Sequence, residues 1–134
     1  MPETGINWAA YGYIDHSTGT DWNATAIADS ADLTSDASVD GNFAGIEYSV
    51  VLTAGDISIT GDVTVEVLGS IDGTNFEATG WELRITPAVS LSVRKRFAVS
   101  PKHYGQHKIK ISNNCGDTLD TTVERRTGTV PKAS

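Results

Sequence analysis

GDVTVEVLGSIDGTNF, residues 61–76, is the stretch that decides the fold class of this chain. Its first half alternates apolar and polar residues, with valines at every second position over Val63–Val67, which is the period of a half-buried β-strand. The dipeptide Asp72-Gly73 follows, and it suits a tight hairpin turn because glycine adopts positive φ at little cost. The stretch therefore predicts a β-hairpin whose return strand opens at Phe76.

The same alternation predicts strands on both sides of this hairpin. The longer ones are Ala44–Thr53, Leu83–Ile85, Leu91–Val99, Tyr104–Ser112 and Leu119–Glu124. Two shorter strands are predicted near Tyr11–Ile14 and Asn23–Ala28, and no segment has the period of an amphipathic helix. Roughly seven to nine short strands separated by turns predict an all-β protein, an antiparallel β-sandwich of jelly-roll or immunoglobulin-like type.

The chain of 134 residues is long enough for one domain with a single core, without disulfides or metal. We expect an N-terminal arm or first strand over 1–22, the sandwich over 23–126 and a short polar tail over 127–134. Cys115 is the single cysteine and cannot form an internal disulfide, which fits folding in a reducing cytoplasm. The first fifteen residues lack the regions of a secretory signal, and no apolar run reaches the roughly 20 residues that span a bilayer.

Three aromatic residues are concentrated near the N-terminus, at Trp8, Tyr11 and Tyr13. Each such side chain can bury roughly 150–250 Å², so leaving all of them in solvent would waste much apolar surface. We therefore expect this arm to dock on its own domain or on a neighbouring subunit. The alternative is a simple first strand followed by a loop.

Charge is divided unevenly along the chain, whose net charge is −7. Residues 1–83 hold fourteen of the seventeen Asp and Glu residues and no Lys or Arg, whereas residues 84–134 hold all ten Lys and Arg. Early and late strands could satisfy these charges within one sandwich, or the charges could meet a second copy or a partner. The acidic excess argues against nucleic acid as a partner.

No reactive constellation points to an enzyme. Cys115 lies in the turn NNCGD without the positive neighbours that activate a thiol, and His16 is predicted to be exposed in a Ser/Thr/Gly loop. There is no Gly-x-Ser-x-Gly elbow, no phosphate loop and no dinucleotide fingerprint. Glu66 and Glu77 could face each other across the hairpin, but paired carboxylates arise by chance in an acidic sandwich.

Metal and cofactor sites are not expected either. Four aspartates, Asp29, Asp32, Asp36 and Asp40, suggest calcium by composition, but their spacing does not match a calcium loop, and solvated loop carboxylates explain them. His103 and His107 would bind one zinc ion on a helix. On a strand they stand about 13 Å apart, too far for that purpose.

Three segments together resemble small bacteriophage structural proteins: DVTVEVLGSIDGTNFEA at 62–78, the basic strand SVRKRFAV, and YGQHKIKISNNCGDTLDTTVE. Within that group the chain is most similar to capsid decoration, or cement, proteins over roughly 46–126. The resemblance implies a non-enzymatic virion protein on the capsid surface, assembled in the host cytoplasm as a homo-trimer or other small homo-oligomer that clamps the major capsid protein. It implies no catalytic residues, and neither nucleic acid nor a membrane as partner.

Two sets of residues are the candidates for contacts in that interpretation. Trp8, Tyr11 and Tyr13 are predicted to contact a neighbouring subunit, and a basic patch that meets an acidic surface is predicted from Arg94, Arg96, Lys108 and Lys110. The alternative function is a carbohydrate-binding sandwich of a phage tail or fibre, in which an exposed Trp22 or Trp81 beside Asp and Asn is the sugar platform.

Overall fold

The computed structural model of the protein describes residues 5–16, 19–39, 43–55, 58–100 and 105–130. Thirteen strands lie in these ranges, and none of the described residues belongs to a helix that could cross a membrane. In chain order the strands are β1 (Asn7–Trp8), β2 (Gly12–Tyr13), β3 (Asp15–His16), β4 (Thr20–Asp21), β5 (Thr25–Ile27), β6 (Ala31–Thr34), β7 (Ser38–Val39), β8 (Gly45–Ala54), β9 (Val63–Ser70), β10 (Trp81–Ile85), β11 (Ser92–Val99), β12 (Gln106–Asn113) and β13 (Leu119–Thr129).

Two antiparallel sheets form the body of the molecule. In sheet 1 the order is β13-β8-β11, and the short strands β1, β2 and β5 all pair with the free side of β13. In sheet 2 the order is β10-β9-β12, and β6 and β7 pair with the free side of β12. The small strands β3 and β4 pair only with each other. The predicted all-β antiparallel sandwich is confirmed.

The path of the chain distinguishes between the two sandwich types that the sequence left open. From β5 onward the chain changes sheet after β5, β7, β8, β10, β11 and β12, and only the pairs β6–β7 and β9–β10 follow each other within a sheet. This repeated crossing gives the order β5-β13-β8-β11 in sheet 1 and β6-β12-β9-β10 in sheet 2. Four strands in each of two sheets, connected in this way, form a jelly roll. It also places late, basic strands beside early, acidic ones, because β13 pairs with β8 and β12 pairs with β6 and β9.

The core lies between the inner faces of the two sheets. The apolar positions of the alternating pattern form this core: Val63, Val65, Ile109 and Ile111 have no exposed surface. Its other large members include Trp22, Tyr48, Leu52 and Leu119. Trp22 is fully buried, and its indole Nε1 donates a hydrogen bond to Thr121 Oγ1 at 2.6 Å. The indole N–H that enters the core therefore has a partner, which limits the cost of burying it.

The predicted hairpin is present, but its loop is longer than predicted. The return strand begins at Trp81, which pairs with Val67, so residues 71–80 form the connection. Asp72 caps the start of this loop: its carboxylate accepts hydrogen bonds from the backbone N–H groups of Thr74 and Asn75. Gly73 has φ of 76°. The Asp-Gly turn therefore forms where predicted and starts a wide loop instead of closing the hairpin.

Segments near both ends of the chain pair with the sandwich. Trp8 of β1 pairs with Gly128, and Tyr13 of β2 pairs with Glu124, so the N-terminal arm is docked on its own domain. Strand β13 continues to Thr129, three residues into the stretch predicted to be a polar tail. The arm stabilises this extension because β1 supplies its outer hydrogen-bond partners.

Candidate functional site

The outer face of sheet 1 carries most of the residues that the sequence marked as candidates for binding. We call it the aromatic–arginine face and define it by Trp8, Tyr11, Tyr13, Glu47, Arg94, Arg96 and Arg126. Side chains directly opposite in paired strands point to the same side of a sheet, so the register places the strand residues together, and Tyr11 joins them through its contacts with Glu47 and Arg126. The face therefore joins the predicted aromatic contacts to one half of the predicted basic patch.

One row of side chains crosses the whole face. Tyr13 pairs with Glu124, Glu124 with Ser49, and Ser49 with Arg96. The row spans four strands, which is about 14 Å at roughly 4.8 Å between neighbouring strands. Tyr13 is 48% exposed and is the most open aromatic side chain of the face. Arg94 lies beside the row and donates a hydrogen bond from Nη1 to Ser49 Oγ at 3.0 Å.

Trp8 lies against a floor of two glycines. A Cβ atom at Gly45 would come within 2.7 Å of Trp8 Cη2, and one at Gly128 would come within 3.1 Å of Trp8 Cε3. Neither distance leaves room for a side chain beneath the indole. The ring of Trp8 can approach the sheet closely because both positions lack a Cβ.

Arg126 and Glu47 connect the two inner aromatic rings of the face. Arg126 donates two hydrogen bonds to Glu47 Oε2, from Nε at 2.9 Å and Nη2 at 2.6 Å. Its guanidinium carbon lies 4.4 Å from the centroid of the Trp8 ring and 5.1 Å from that of Tyr11. The Tyr11 hydroxyl donates to the same Glu47 oxygen at 3.2 Å. These contacts hold the side chains in place before any ligand arrives.

A second arginine extends this series toward the edge of the sheet. The guanidinium carbon of Arg96 lies 5.7 Å from the Tyr11 ring centroid. Aromatic and guanidinium groups therefore alternate as Trp8, Arg126, Tyr11 and Arg96 across the face. Cation–π contacts of this kind are worth about 0.5–1 kcal/mol each at exposed sites.

The predicted basic patch is not a single surface. Arg94 and Arg96 are exposed on β11 of sheet 1, whereas Lys108 and Lys110 lie on the outer face of sheet 2. The prediction treated two strands that are consecutive in sequence as neighbours in space, but the chain changes sheet between β11 and β12. Lys108 instead contacts the Phe76 ring at 4.4 Å, and Lys110 Nζ lies 4.0 Å from Asp32.

The two tryptophans predicted as sugar platforms have different surroundings. Trp22 is fully buried, so it cannot stack against a ligand. Trp81 is 49% exposed on the edge strand β10, where its ring packs against Phe97 with centroids 5.4 Å apart. Trp81 thus covers the side of the sandwich where the edge strands of the two sheets meet and does not belong to the aromatic–arginine face.

The residues considered for metal binding are dispersed. Asp29 accepts a hydrogen bond from Gly116 N–H at 3.0 Å, Asp32 faces Lys110, and Asp36 is exposed. Asp40 and His103 lie outside the described residues. Within the ranges that the structure describes, no three His, Cys, Asp or Glu side chains are grouped as a metal site requires.

The other residues considered for chemistry are mostly structural. His107 is fully buried and hydrogen-bonds through Nε2 to the Tyr48 hydroxyl. Cys115 is also fully buried. Glu66 pairs with Glu82 and not with Glu77, because the hairpin loop is wide. His16, predicted to be exposed, is half-buried, and its ring lies edge-on to Trp22 with centroids 5.8 Å apart.

Sequence reasoning missed Glu47, Ser49 and Arg126 as members of the face. Glu47 and Ser49 occupy alternate positions of the strand predicted over Ala44–Thr53, on the side opposite Ile46 and Tyr48, so the signal was present. Arg126 was overlooked because the last strand was predicted to end at Glu124. Only the strand order reveals that these residues neighbour Tyr11 and Arg94, and the strand order was not predictable from alternation.

Comparisons with known proteins identify no family, because no protein-family model and no curated protein matches the chain. Among solved structures it is similar to a GH115 4-O-methyl-α-glucuronidase with specificity for decorated arabinogalactans, at 11% identity and a TM-score of 0.49. That match covers 87% of this chain and 16% of the enzyme. The chain thus corresponds to a small part of that protein.

Two further similarities are to carbohydrate-binding modules. A CBM4 structure matches at 12% identity and a TM-score of 0.48, over 93% of this chain and 79% of that one. The module CBM36, in complex with calcium and xylotriose, matches at 17% identity and a TM-score of 0.43, over 93% and 92%. With identities this low and TM-scores below 0.5, these likenesses carry no argument about what this protein binds.

Proposed function

We propose that this protein is a non-catalytic glycan-binding module and that its aromatic–arginine face holds an extended sugar chain. The observation that carries the proposal is the row from Tyr13 to Arg96, with its open aromatic ring at one end, the half-buried Glu124 beside that ring and the exposed Arg96 at the other end. The alternation of Trp8, Arg126, Tyr11 and Arg96 beside that row supports the same function.

The chemistry of sugars requires both kinds of group. A pyranose ring has an apolar face of C–H groups, which packs on an aromatic ring, and a rim of hydroxyls, which needs donors and acceptors. Arginine and glutamate are planar and can bind two neighbouring hydroxyls at once. Tyr13 offers the exposed ring, and Glu124 and Arg96 offer polar partners in the same line, while the buried Ser49 holds Arg94 in place.

The charge balance of the face favours a neutral ligand. Its three arginines, Arg94, Arg96 and Arg126, are matched by Glu47, Asp120 and Glu124 on the same outer side of sheet 1. Arg126 is held by Glu47, so it is not a free cation. A hydroxyl-rich chain meets such a mixed surface well, whereas an acidic surface would have to approach three carboxylates.

Prior ordering of the side chains also favours a sugar ligand. Individual sugar contacts are weak, so ordering the binding groups in advance reduces the entropy that the complex loses. Arg94 and Arg126 are hydrogen-bonded within the chain, to Ser49 and Glu47 respectively. The ligand therefore need not order these two side chains.

A second function, subunit contact in a virion, remains as a proposal of a different class. Tyrosine, tryptophan and arginine are the residues that contribute most at protein interfaces, and the face contains all three. The contact would be made by Trp8, Tyr11 and Tyr13 with a neighbouring subunit, as in capsid decoration. The number of charged groups on the face argues against this function, because the cores of protein–protein interfaces are depleted of charged residues.

Binding to a glycan array tests the two functions against each other. The wild-type protein should bind at least one neutral oligosaccharide, and Tyr13→Ala should weaken that binding about tenfold, since the stacking platform is lost. Tyr13→Phe keeps the ring and should bind nearly as well as wild type.

A matched arginine pair controls for charge. Arg96→Ala lies in the row and should also weaken binding, whereas Arg84→Ala, on the outer face of sheet 2, should not. No glycan bound by the wild type, together with self-association lost in Tyr13→Ala, would favour the subunit-contact function instead.

A further inference from the structure

A second concavity lies at the side of the sandwich, between the arm and strand β7. We call it the side cleft. It has a volume of about 330 Å³ and is lined by segments 10, 12–15 and 35–38 together with Tyr48, Arg125 and Thr127. Its walls come from both sheets, because β2 pairs with β13 of sheet 1 and β7 pairs with β12 of sheet 2. The volume is at the lower end of the range of small-molecule sites.

Arg125 is the cation of the side cleft. Its neighbours Glu124 and Arg126 point to the outer face, so its side chain leaves the inner side of β13. There it crosses toward sheet 2 and donates a hydrogen bond from Nη1 to Ser38 Oγ. An arginine that reaches between two sheets in this way is held in position by the fold.

This guanidinium has unused hydrogen-bonding capacity. Within the described part of the chain, its one hydrogen bond is the bond to Ser38, and no carboxylate lies within ion-pair distance of it. A half-buried guanidinium normally pairs with an anion, because removing a charge from water costs free energy that a partner offsets. The planar fork of arginine binds a carboxylate with two parallel hydrogen bonds.

The other polar groups of the cleft determine which further groups the ligand must carry besides its anionic end. Asp15 and Asp36 are exposed at the cleft and are hydrogen-bond acceptors. They repel a bare anion and accept hydrogen bonds from hydroxyl groups. A ligand that satisfies both demands carries a carboxylate at one end and hydroxyls at the other.

We propose that the side cleft binds a small polyhydroxylated carboxylate of the size of one uronic acid. Arg125 binds the carboxylate, and Asp15 and Asp36 bind its hydroxyls. The cleft shares Tyr13 with the aromatic–arginine face, but it holds its anion through Arg125, whose side chain leaves the opposite side of β13.

Titration of the protein with glucuronate, followed by amide NMR, tests the site. Glucuronate should shift resonances of segments 12–15 and 35–38, and glucose should bind at least about tenfold more weakly because it lacks the carboxylate. Inorganic phosphate should also bind more weakly, because its higher negative charge is repelled by Asp15 and Asp36 and it has no ring of hydroxyls to offset that repulsion.

Variants assign the effect to the residues. Arg125→Gln should lower the affinity for glucuronate about tenfold or more, whereas Arg84→Gln, on the outer face of sheet 2, should not change it. Asp36→Asn changes an exposed residue and should weaken binding severalfold with the fold intact. Equal affinity for glucose and glucuronate, equal or tighter phosphate binding, or glucuronate binding unchanged in both Arg125→Gln and Asp36→Asn would overturn the proposal.

Discussion

Single glycines decide how the N-terminal arm lies on the sheet. Gly45 and Gly128 are on neighbouring strands, β8 and β13, and pair directly with each other. Together they leave a flat area of backbone on which the Trp8 indole packs. The sequence contains thirteen glycines, and nothing in the local pattern distinguishes these two from glycines in turns.

Gly45→Ala should displace Trp8. The new methyl group would overlap the indole, and the ring must move outward because the backbone beneath it is held in the β8–β13 ladder. We expect a red shift of the tryptophan fluorescence and weaker packing of the arm. Gly5→Ala is the control, since a Cβ there meets no atom within 4 Å. Identical spectra for both variants would contradict the glycine floor.

Asp72 makes the hairpin loop sensitive to acid. The backbone N–H groups of Asn75 and Thr74, the Asn75 side-chain amide and the Ser70 hydroxyl donate to its carboxylate and hold its pKa below its ordinary value. Because the pKa is depressed in the folded state, the Asp72 carboxylate contributes fully to the free energy of unfolding above about pH 4, its pKa in the unfolded chain. This contribution is lost as the pH falls from there through the depressed pKa.

Asp72→Ala should therefore lower the melting temperature most at neutral pH. The gap between wild type and variant should narrow as the pH is lowered from about 5 to about 2, because the carboxylate of the unfolded wild-type chain binds a proton in this range while that of the folded chain, with its depressed pKa, still resists protonation. Calorimetry at several pH values measures this gap. A gap of the same size at every pH would contradict the role of the ionised carboxylate.

At the scale of elements, alternation predicted the faces of the strands but not their sheets. Val63–Val67 and Ile109–Ile111 face the core as the pattern indicated, because a period of two leaves one choice of buried side. Which strands become neighbours depends on contacts between residues that are far apart in the sequence. Arg96 and Lys108, twelve positions apart, were predicted to be close and lie on opposite sides of the molecule.

Local turn chemistry was likewise informative only over a few residues. Asp72-Gly73 does form a turn, yet the loop extends to residue 80 because Glu77 bends back to the ladder. The Glu77 backbone N–H donates to the Gly69 carbonyl, and its carboxylate accepts from Gly69 N–H at 2.9 Å. A glutamate far from the turn closes the loop, and no dipeptide rule includes such a contact.

The segment around Trp22 holds the short strands against β13. Its backbone N–H donates to the Ile14 carbonyl and its carbonyl accepts from Val123 N–H, while the indole fills the core. Trp22→Ala should lower the free energy of unfolding by about 3–5 kcal/mol, the usual cost of removing a buried tryptophan. Chemical denaturation measures this change.

Trp81→Ala is the matched control for that measurement. Trp81 is about half exposed, so its removal should cost clearly less than that of Trp22. Equal losses for the two variants would contradict the assignment of Trp22 to the core. The sequence pattern alone could not rank these two residues, since both lie among polar neighbours.

At the scale of the whole molecule, the jelly-roll path explains the uneven charge along the chain. The acidic and basic parts of the sequence meet side by side in each sheet, as Glu47 with Arg126 and Asp32 with Lys110 illustrate. The division of charge was visible in the sequence. That the acidic and basic residues pair within one domain could be seen only from the strand order. The aromatic–arginine face arises from the same arrangement, because it combines residues from both ends of the chain.

The most direct test of the account is amide NMR mapping of a neutral oligosaccharide that the glycan array identifies. We predict that the shifts concentrate on the outer positions of β2, β8, β11 and β13, around Tyr13, Ser49 and Arg96, and that Tyr13→Ala abolishes most of them. Shifts confined to the outer face of sheet 2 around Lys108 and Lys110, or shifts unchanged in Tyr13→Ala, would contradict it.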